Sequence, residues 1–198
     1  MRIIAGSYKG RRVQLPRECR WLRPTSDRVR EALFSILGQW VGEKEVLDLF
    51  SGTGLLGFEA LSRGAARCRF VDQRSGAMIE RMATSLGLGP ERYKIYPQDV
   101  AAFLKRDRES ADLILSDPPY DLTWLEGLVE DVLTGPRLRA GGVFVLETSR
   151  TSPPPMKSLP EGIRVDRRCY GATQLFLFER GKTQDEPGGV ILVEPEEG

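Results

Sequence analysis

Three glycines in the stretch LDLFSGTGLLG have the spacing G-x-G-x-x-G, at Gly52, Gly54 and Gly57. The stretch follows an apolar run typical of a strand and precedes a pattern typical of a helix. A glycine loop in this position brings backbone N–H groups and a helix N-terminus close to a cofactor. The same loop serves dinucleotides, which carry a pyrophosphate, and S-adenosylmethionine, which has no phosphate. The loop therefore predicts an adenosine cofactor without distinguishing these two.

Two carboxylates near this loop narrow the choice of cofactor. Asp48 lies on the strand before the glycines, where it is expected to order the loop and to accept from an ammonium group. Next to a pyrophosphate it would add an unfavourable second negative charge, so Asp48 favours S-adenosylmethionine. Asp72 lies about 20 residues beyond Gly52, at the end of the next strand, and is placed to accept from both ribose hydroxyls of either cofactor.

A third carboxylate follows the third predicted strand. Asp99, in the sequence PQDV, is expected to accept from the adenine amino group while the Val100 N–H reaches a ring nitrogen. The alternative interpretation is that Asp99 caps the helix that begins with VAAFLKR. The residue type alone supports both, and both are kept.

The sequence SDPPYD places Asp117, Pro118, Pro119 and Tyr120 after the fourth predicted strand, at the edge where ligands bind in open α/β sheets. Methyl transfer to an exocyclic amine must overcome delocalisation of the nitrogen lone pair into the ring. Asp117 and the Pro118 carbonyl can each accept one N–H and hold the nitrogen in line with the methyl donor. The two prolines stiffen the turn, and Tyr120 can stack on a flipped-out base. The alternative is a Pro-Pro turn without a catalytic role.

Composition excludes several other chemistries. The chain has no histidine, so it lacks the commonest general base and the commonest metal ligand. Cys19, Cys68 and Cys169 are odd in number and far apart, which predicts neither a disulfide framework nor a zinc site. No window approaches the roughly 18 apolar residues of a membrane span. We expect a soluble cytoplasmic protein that binds no metal.

The order of apolar runs predicts the fold. From residue 46 onward, five apolar runs alternate with amphipathic helical patterns, among them helices at about 54–63 and 122–134, which predicts a parallel sheet covered on both faces. Residues 163–170 and 172–180 follow with a connection too short for a parallel crossover, so they must pair antiparallel. The prediction is an α/β, Rossmann-like class I methyltransferase fold: a seven-stranded, mostly parallel sheet that ends in an antiparallel hairpin.

Charge is distributed unevenly along the chain. Residues 1–30 contain nine basic and two acidic side chains, whereas residues 181–198 contain one basic and five acidic side chains. We therefore predict a basic N-terminal β-hairpin arm at 1–22 that meets a polyanion, a methyltransferase domain at 23–180 and an acidic extension at 181–198. The alternative for the arm is a solvated, arginine-rich surface. A helix is expected after the N-cap candidates Thr25, Ser26 and Asp27.

The assembled motifs resemble the RsmD family of bacterial small-subunit ribosomal RNA guanine-N2 methyltransferases over residues 1–180, most specifically in RPTSDRVREALF. The resemblance implies S-adenosylmethionine as cofactor and 16S ribosomal RNA as partner, within the 30S particle. It implies a catalytic turn at Asp117–Tyr120. The cofactor-binding residues it implies are Asp48, Ser51, Gly52, Thr53, Gly54, Asp72, Gln73, Asp99, Val100 and Thr25. The RNA-binding residues it implies are Tyr8, Lys9, Arg11, Arg12, Arg23, Arg28 and Arg30.

Two other functions stay open at this point. An adenine-N6 or cytosine-N4 amino-methyltransferase acting on DNA or RNA uses the same acceptor turn, although the chain offers no separate target-recognition domain. A non-catalytic RNA-binding assembly factor could retain the cofactor as a structural ligand. The intact DPPY sequence disfavours that alternative, because a structural domain has no use for a rigid, acceptor-rich turn at its pocket.

Overall fold

The structure is a computed structural model that describes residues 1–12, 26–153 and 155–182. Its centre is a seven-stranded sheet with the strand order β3-β2-β1-β4-β5-β7-β6. The strands are β1 (Glu45–Leu49), β2 (Arg67–Val71), β3 (Tyr93–Tyr96), β4 (Ala111–Ser116), β5 (Leu138–Ser149), β6 (Ile163–Tyr170) and β7 (Thr173–Arg180). The helices are α1 (Asp27–Leu37), α2 (Leu55–Ser62), α3 (Gly76–Leu86), α4 (Val100–Arg106) and α5 (Leu125–Thr134), and a 3₁₀ turn spans Gly38–Val41.

The sheet confirms the predicted fold. Strands β1 to β5 pair in parallel, and β7 pairs antiparallel with both β5 and β6. The strand order reverses at β1, which lies between β2 and β4. Such a reversal opens a crevice at the carboxyl ends of the two adjacent strands where the order changes direction, here β1 and β4. The sequence after β1 and β4 is therefore placed where a ligand would bind.

Two apolar layers cover the sheet. One contains Val46, Leu113 and the apolar faces of α1, α2 and α3, and the other contains Leu47, Ile114 and the apolar faces of α4 and α5. Successive residues of a strand point to opposite faces, so both faces of these central strands are apolar, as expected for a buried parallel sheet. No helix among the described residues combines the length and apolarity that crossing a membrane requires.

Local hydrogen bonds set the helix boundaries. Ser26 caps α1 as predicted, because its Oγ accepts from the Val29 N–H at 3.2 Å. Helix α5 begins at Leu125, three residues later than the predicted start at 122. The difference arises because the Leu122 N–H donates to the Pro119 carbonyl at 3.0 Å, which continues the proline turn instead of starting a helix.

The N-terminal segment, residues 1–12, packs on α2. Glu59 of α2 is fully buried and accepts from the Ile4 N–H at 2.7 Å and the Ala5 N–H at 3.1 Å. The segment turns back on itself and closes with a bridge between Arg2 and Arg12. The rest of the predicted return strand lies outside the described residues, as does the acidic extension from residue 183 onward. The division into arm, domain and extension stays a prediction.

We expect Gly6→Ala to destabilise this segment far more than Gly10→Ala. Both glycines have a positive φ, +81° and +82°, so both variants carry backbone strain of about 1–2 kcal/mol. A Cβ at Gly6 would also lie 1.8 Å from the Ser62 carbonyl oxygen, whereas a Cβ at Gly10 meets nothing within 4 Å. Urea unfolding and limited proteolysis of the N-terminal segment measure the difference. Equal losses in the two variants would contradict the described packing.

Candidate active site

The candidate site is formed where β1 and β4 end side by side. The pairing of Leu49 with Ser116 brings the glycine loop after β1 next to the DPPY turn after β4. Asp72 follows β2, the other neighbour of β1, and Asp99 follows β3. The parallel sheet therefore gathers at one edge four segments that are far apart in sequence.

Asp48 is buried inside this edge. It is 1% exposed, and its Oδ2 accepts from the Gly57 N–H of α2 at 3.0 Å. Burial, followed by the negative charges of Asp117 and Asp72, raises the pKa of Asp48 to about 8 despite that hydrogen bond. A cationic partner at this position would stabilise the charged carboxylate. Asp48 thus joins β1 to α2, and its contact with an ammonium group stays a prediction.

Two glycines of the loop are required by close packing. Gly54 has a φ of +73°, and a Cβ there would lie 2.8 Å from Phe58 Cε2. At Gly57 a Cβ would lie 2.3 Å from Phe70 Cε1 and 2.6 Å from Cys68 Sγ. Gly57 therefore lets α2 approach β2 closely, which is the role of the third glycine in this type of loop.

Ser51 and Thr53 hold the loop internally. The Ser51 hydroxyl donates to the Asp48 carbonyl at 2.6 Å and accepts from the Val71 N–H at 2.9 Å, which joins the loop to β1 and β2. The Thr53 hydroxyl accepts from the Leu55 N–H at 3.3 Å at the start of α2. Both residues are buried, so their side chains shape the loop from within.

Asp72 faces the loop from the end of β2. Its Oδ2 accepts from the Gly52 N–H at 3.0 Å, and its Oδ1 accepts from the Arg74 and Ser75 N–H groups at 2.8 and 2.9 Å. A carboxylate has about four acceptor positions, so these bonds leave room for about one hydroxyl. Accepting both ribose hydroxyls, as predicted, would require the Gly52 N–H to release its bond.

The structure agrees with the alternative interpretation of Asp99, which is that its side chain caps a helix. Its Oδ1 accepts from the Ala102 N–H at 3.0 Å and caps α4, and the side chain is otherwise exposed. Val100 is the first residue of α4, and a helix leaves its first N–H groups without an intrahelical acceptor. Gln73 is exposed immediately after Asp72. It stays a prediction that an adenine or ribose contacts Asp99, Val100 and Gln73.

The DPPY turn continues directly from β4. Pro118 is buried, Pro119 is exposed, and the Tyr120 side chain is 62% exposed, the largest exposure of any large hydrophobic residue in the described part of the chain. Asp117 lies close enough to Asp48 for its charge to raise the pKa of Asp48. The turn therefore presents an aromatic ring to solvent beside a pair of carboxylates.

Two aromatic residues that sequence reasoning missed connect the loop and the turn. Phe50 follows β1 and has a φ of +55°, which is strained for a residue with a side chain. Its ring lies 6.2 Å, centroid to centroid, from the ring of Trp124, the residue before α5. Two features of the sequence could have indicated this pair: a bulky residue just before Ser51 and a tryptophan four residues after Tyr120. This pair connects the residue before the glycine loop with the residue before α5.

The charge of this edge fits S-adenosylmethionine better than a dinucleotide. The negative charges of Asp117 and Asp72 act on the Asp48 carboxyl through space, and each addition of negative charge disfavours a pyrophosphate. A sulfonium and an ammonium group are attracted by the same field. The described residues contain no group of three or more histidine, cysteine or acidic side chains able to hold a metal ion.

Some of the predicted RNA-binding residues are exposed, whereas others are partly or fully buried. Lys9, Arg11, Arg12 and Arg28 are exposed, and Tyr8 packs partly against the core. The Tyr8 N–H donates to the Ser62 hydroxyl at the end of α2, whereas the glycine loop precedes the start of that helix. The structure therefore separates Tyr8 and Lys9 from the glycine loop by about the 12 Å length of α2. Arg23 and the predicted cofactor ligand Thr25 lie outside the described residues.

The prediction that Arg30 binds RNA is wrong in this structure. Its side chain is completely buried, and its Nη2 donates to the Arg2 carbonyl at 2.7 Å and to Asp27 at 3.0 Å. Its Nε lies 3.8 Å from Glu59 Oε2. A buried guanidinium of this kind needs carboxylate partners to offset its lost hydration. Arg30 therefore fastens the N-terminal segment to α1 and α2.

The fold and the relatives described below define a class I methyltransferase that uses S-adenosylmethionine, the predicted cofactor. The chain belongs to the RsmD family, because the family model described as Conserved hypothetical protein 95 matches residues 1–179. The resemblance inferred from the motifs is thereby confirmed.

Individual relatives agree with the family match. Ribosomal RNA small subunit methyltransferase D of Haemophilus influenzae is 32% identical over 157 residues, which cover 77% of this chain and 81% of that protein. The solved structure of yhhF from Escherichia coli has a TM-score of 0.80 at 26% identity and covers 92% of this chain and 99% of that chain. SMU.776, solved in complex with SAH, shares the fold with a TM-score of 0.61 at 20% identity, over 77% of this chain and 48% of that chain.

We expect binding of S-adenosylhomocysteine to strengthen as pH rises through about 8. The pKa of Asp48 is raised to about 8, so the carboxyl is mostly protonated at lower pH and cannot pair fully with the ligand's ammonium. Calorimetric affinities from about pH 6.5 to about pH 8.5 measure the effect. Asp48→Asn is the matched control, because the ligand titrates identically with both proteins. Parallel pH profiles for the two proteins would contradict the assignment.

The raised pKa of Asp48 leads to a second prediction, for the unliganded protein. The folded state holds the Asp48 proton more tightly than the unfolded state, so this residue lowers stability as pH rises from its ordinary value of 3.8 to about 8. Relative to Asp48→Asn, the wild type should lose on the order of a few kcal/mol of unfolding free energy across that interval. Urea unfolding at several pH values tests this loss, and a constant difference between the proteins would refute it.

Proposed function

We propose that this protein transfers a methyl group from S-adenosylmethionine to the exocyclic N2 amine of a guanine in small-subunit (16S) ribosomal RNA. The observation that carries the proposal is the position of the Asp117–Tyr120 turn, which follows β4 at the strand-order reversal and lies next to buried Asp48. The cofactor-facing residues are those of the glycine loop together with Asp48 and Asp72.

The turn supplies acceptors rather than a general base. The chain has no histidine, and the chemistry proposed here needs none. Asp117 and the Pro118 carbonyl each accept one N–H of the target amine, which favours the pyramidal nitrogen of the transition state and aligns its lone pair. When bound, the cofactor would supply an electrophilic methyl group, and its C–S bond would break as the N–C bond forms, leaving S-adenosylhomocysteine. The methylated nitrogen would then release one proton to solvent by way of Asp117. The stiff Pro118–Pro119 backbone holds both acceptors in place without reorganisation.

Tyr120 is proposed to receive the target base. Its exposed ring, at the open side of the turn, can stack on a base that has left its own stack. Stacking of this kind contributes about 1–3 kcal/mol per base and offsets part of a flipping cost of a few kcal/mol.

Ribosomal RNA is the substrate class best supported. The Haemophilus influenzae relative is named a small-subunit ribosomal RNA methyltransferase, and its match covers most of both chains. Lys9, Arg11, Arg12 and Arg28 add exposed positive charge, which favours contact with phosphates. The compact N-terminal segment suits a target presented by a folded particle, so we propose an assembled or partly assembled 30S subunit as the form that is methylated.

We expect Asp117→Ala to lose methyl transfer while it keeps its cofactor. Removal of one preorganised polar contact to the transition state costs about 10²–10³ in rate. Labelled methyl transfer to unmethylated small subunits, followed by nucleoside analysis, measures the loss and identifies N2-methylguanosine. Asp121→Ala is the matched control, because Asp121 is an exposed carboxylate beside the same turn.

The substrates tested in parallel separate this proposal from its rivals. Naked ribosomal RNA and duplex DNA are assayed beside the small subunits. Label in DNA or in another methylated base would overturn the guanine-N2 assignment. An Asp117→Ala variant with full activity would overturn the proposed role of the turn.

A further inference from the structure

A cleft of about 600 Å³ lies between α4 and α5, apart from the site described above. This volume is within the range of about 300–1,000 Å³ typical of ligand pockets. Ala101 and Leu104 of α4 form one wall, and Gly127 of α5 forms part of the other. The helices belong to the apolar layer opposite the one that contains α2 and Ile3. The cleft and the N-terminal segment are therefore on opposite faces of the sheet.

The cleft carries an excess of positive charge. Lys105 and Arg108 line it, are exposed, and form no ion pair with the carboxylates of the described residues. Its acidic residue, Asp131, is paired with Arg137 at 3.1 Å. Arg137 also lines the cleft, and its buried Nε finds no acceptor among the described residues. The lining thus attracts an anion.

An aromatic residue connects this cleft to the candidate active site. Trp124 lines the end of the cleft where α5 begins, and its ring lies beside that of Phe50, the residue before the glycine loop. The chain between Tyr120 and Trp124 is short, and α4 begins immediately after Asp99. The cleft therefore starts at the edge that holds the turn and runs away from it along the two helices.

We infer that this cleft binds the RNA strand adjacent to the target nucleotide. An apolar wall, an aromatic ring and a row of cations along one groove are the features with which proteins hold single-stranded nucleic acid. In this arrangement a base stacks on Trp124 and the following phosphates contact Lys105 and Arg108. The inference rests on the proposed function, because it takes RNA as the substrate.

The first test fills the cleft. A Cβ at Gly127 meets nothing within 4 Å, and the variant replaces a glycine in a helix, so Gly127→Leu should fold. Ala102→Leu is the matched control, because Ala102 is exposed on α4 and does not line the cleft. We expect Gly127→Leu to raise KM for small subunits about tenfold with kcat and cofactor affinity unchanged, and Ala102→Leu to change none of these values.

The second test reverses one charge. Lys105 and Arg106 are neighbouring exposed cations in the last turn of α4, and Lys105 alone of the two lines the cleft. Binding of a labelled single-stranded RNA of about 12 nucleotides is measured against salt concentration. Lys105→Glu should weaken binding about tenfold and reduce the salt slope by about one, whereas Arg106→Glu should change affinity less than about twofold.

The outcomes separate failure of the cleft from failure of the proposed function. Gly127→Leu and Lys105→Glu proteins that behave like their controls, in a wild type that methylates RNA, would overturn the cleft. A wild type that methylates no RNA would overturn the proposed function, and the oligonucleotide measurements would still decide whether the cleft binds RNA.

Discussion

The structure of the site depends on the hydrogen bond from the Gly57 N–H to the buried carboxylate of Asp48. This bond joins the last part of β1 to α2 and so defines the shape of the glycine loop between them. It forms because Gly57 lacks a Cβ, which lets α2 approach Phe70 of β2. The cost is a carboxyl group removed from water, whose pKa rises to about 8. A cofactor with an ammonium group would recover that cost on binding.

Helix α2 links the glycine loop to the N-terminal segment. Its first turn follows the loop. Farther along the helix, the side chains of Glu59 and Ser62 accept hydrogen bonds from backbone N–H groups of the N-terminal segment. Arg30 adds a buried ion pair to the same carboxylate. A helix of eight residues therefore fixes the position of the basic segment relative to the cofactor loop. Movement of either would require breaking buried polar contacts, which is costly.

Patterns within short stretches predicted much of this structure. The alternation of apolar runs predicted the parallel sheet, and the short connection after Tyr170 predicted the antiparallel hairpin. Residues at strand ends, such as Asp48 and Asp72, were predicted to gather because parallel strands bring their carboxyl ends to one edge.

Contacts between distant segments could not be predicted in this way. The burial of Arg30 depends on Glu59, which is 29 positions away in sequence on another helix, and an arginine-rich segment gives no signal of which arginine is buried. The Phe50–Trp124 pair likewise depends on where β1 and α5 meet in space. The α5 boundary was missed because a turn hydrogen bond from Leu122 competes with helix formation.

The placement of positive charge on both faces of the sheet bears on how a substrate would approach. The N-terminal segment lies against α2 on one face, and Lys105 and Arg108 line the cleft on the other. A nucleic acid that contacts both passes around one edge of the sheet, and the path that brings it to the candidate site crosses the edge where β1 and β4 end. Tyr120 is exposed at that edge, directly after the acceptor residues. A strand held on both sides of the crossing is bent there, and a bent strand loses base stacking most easily at the bend. On that path the bend would lower the cost of base flipping at the position of the turn.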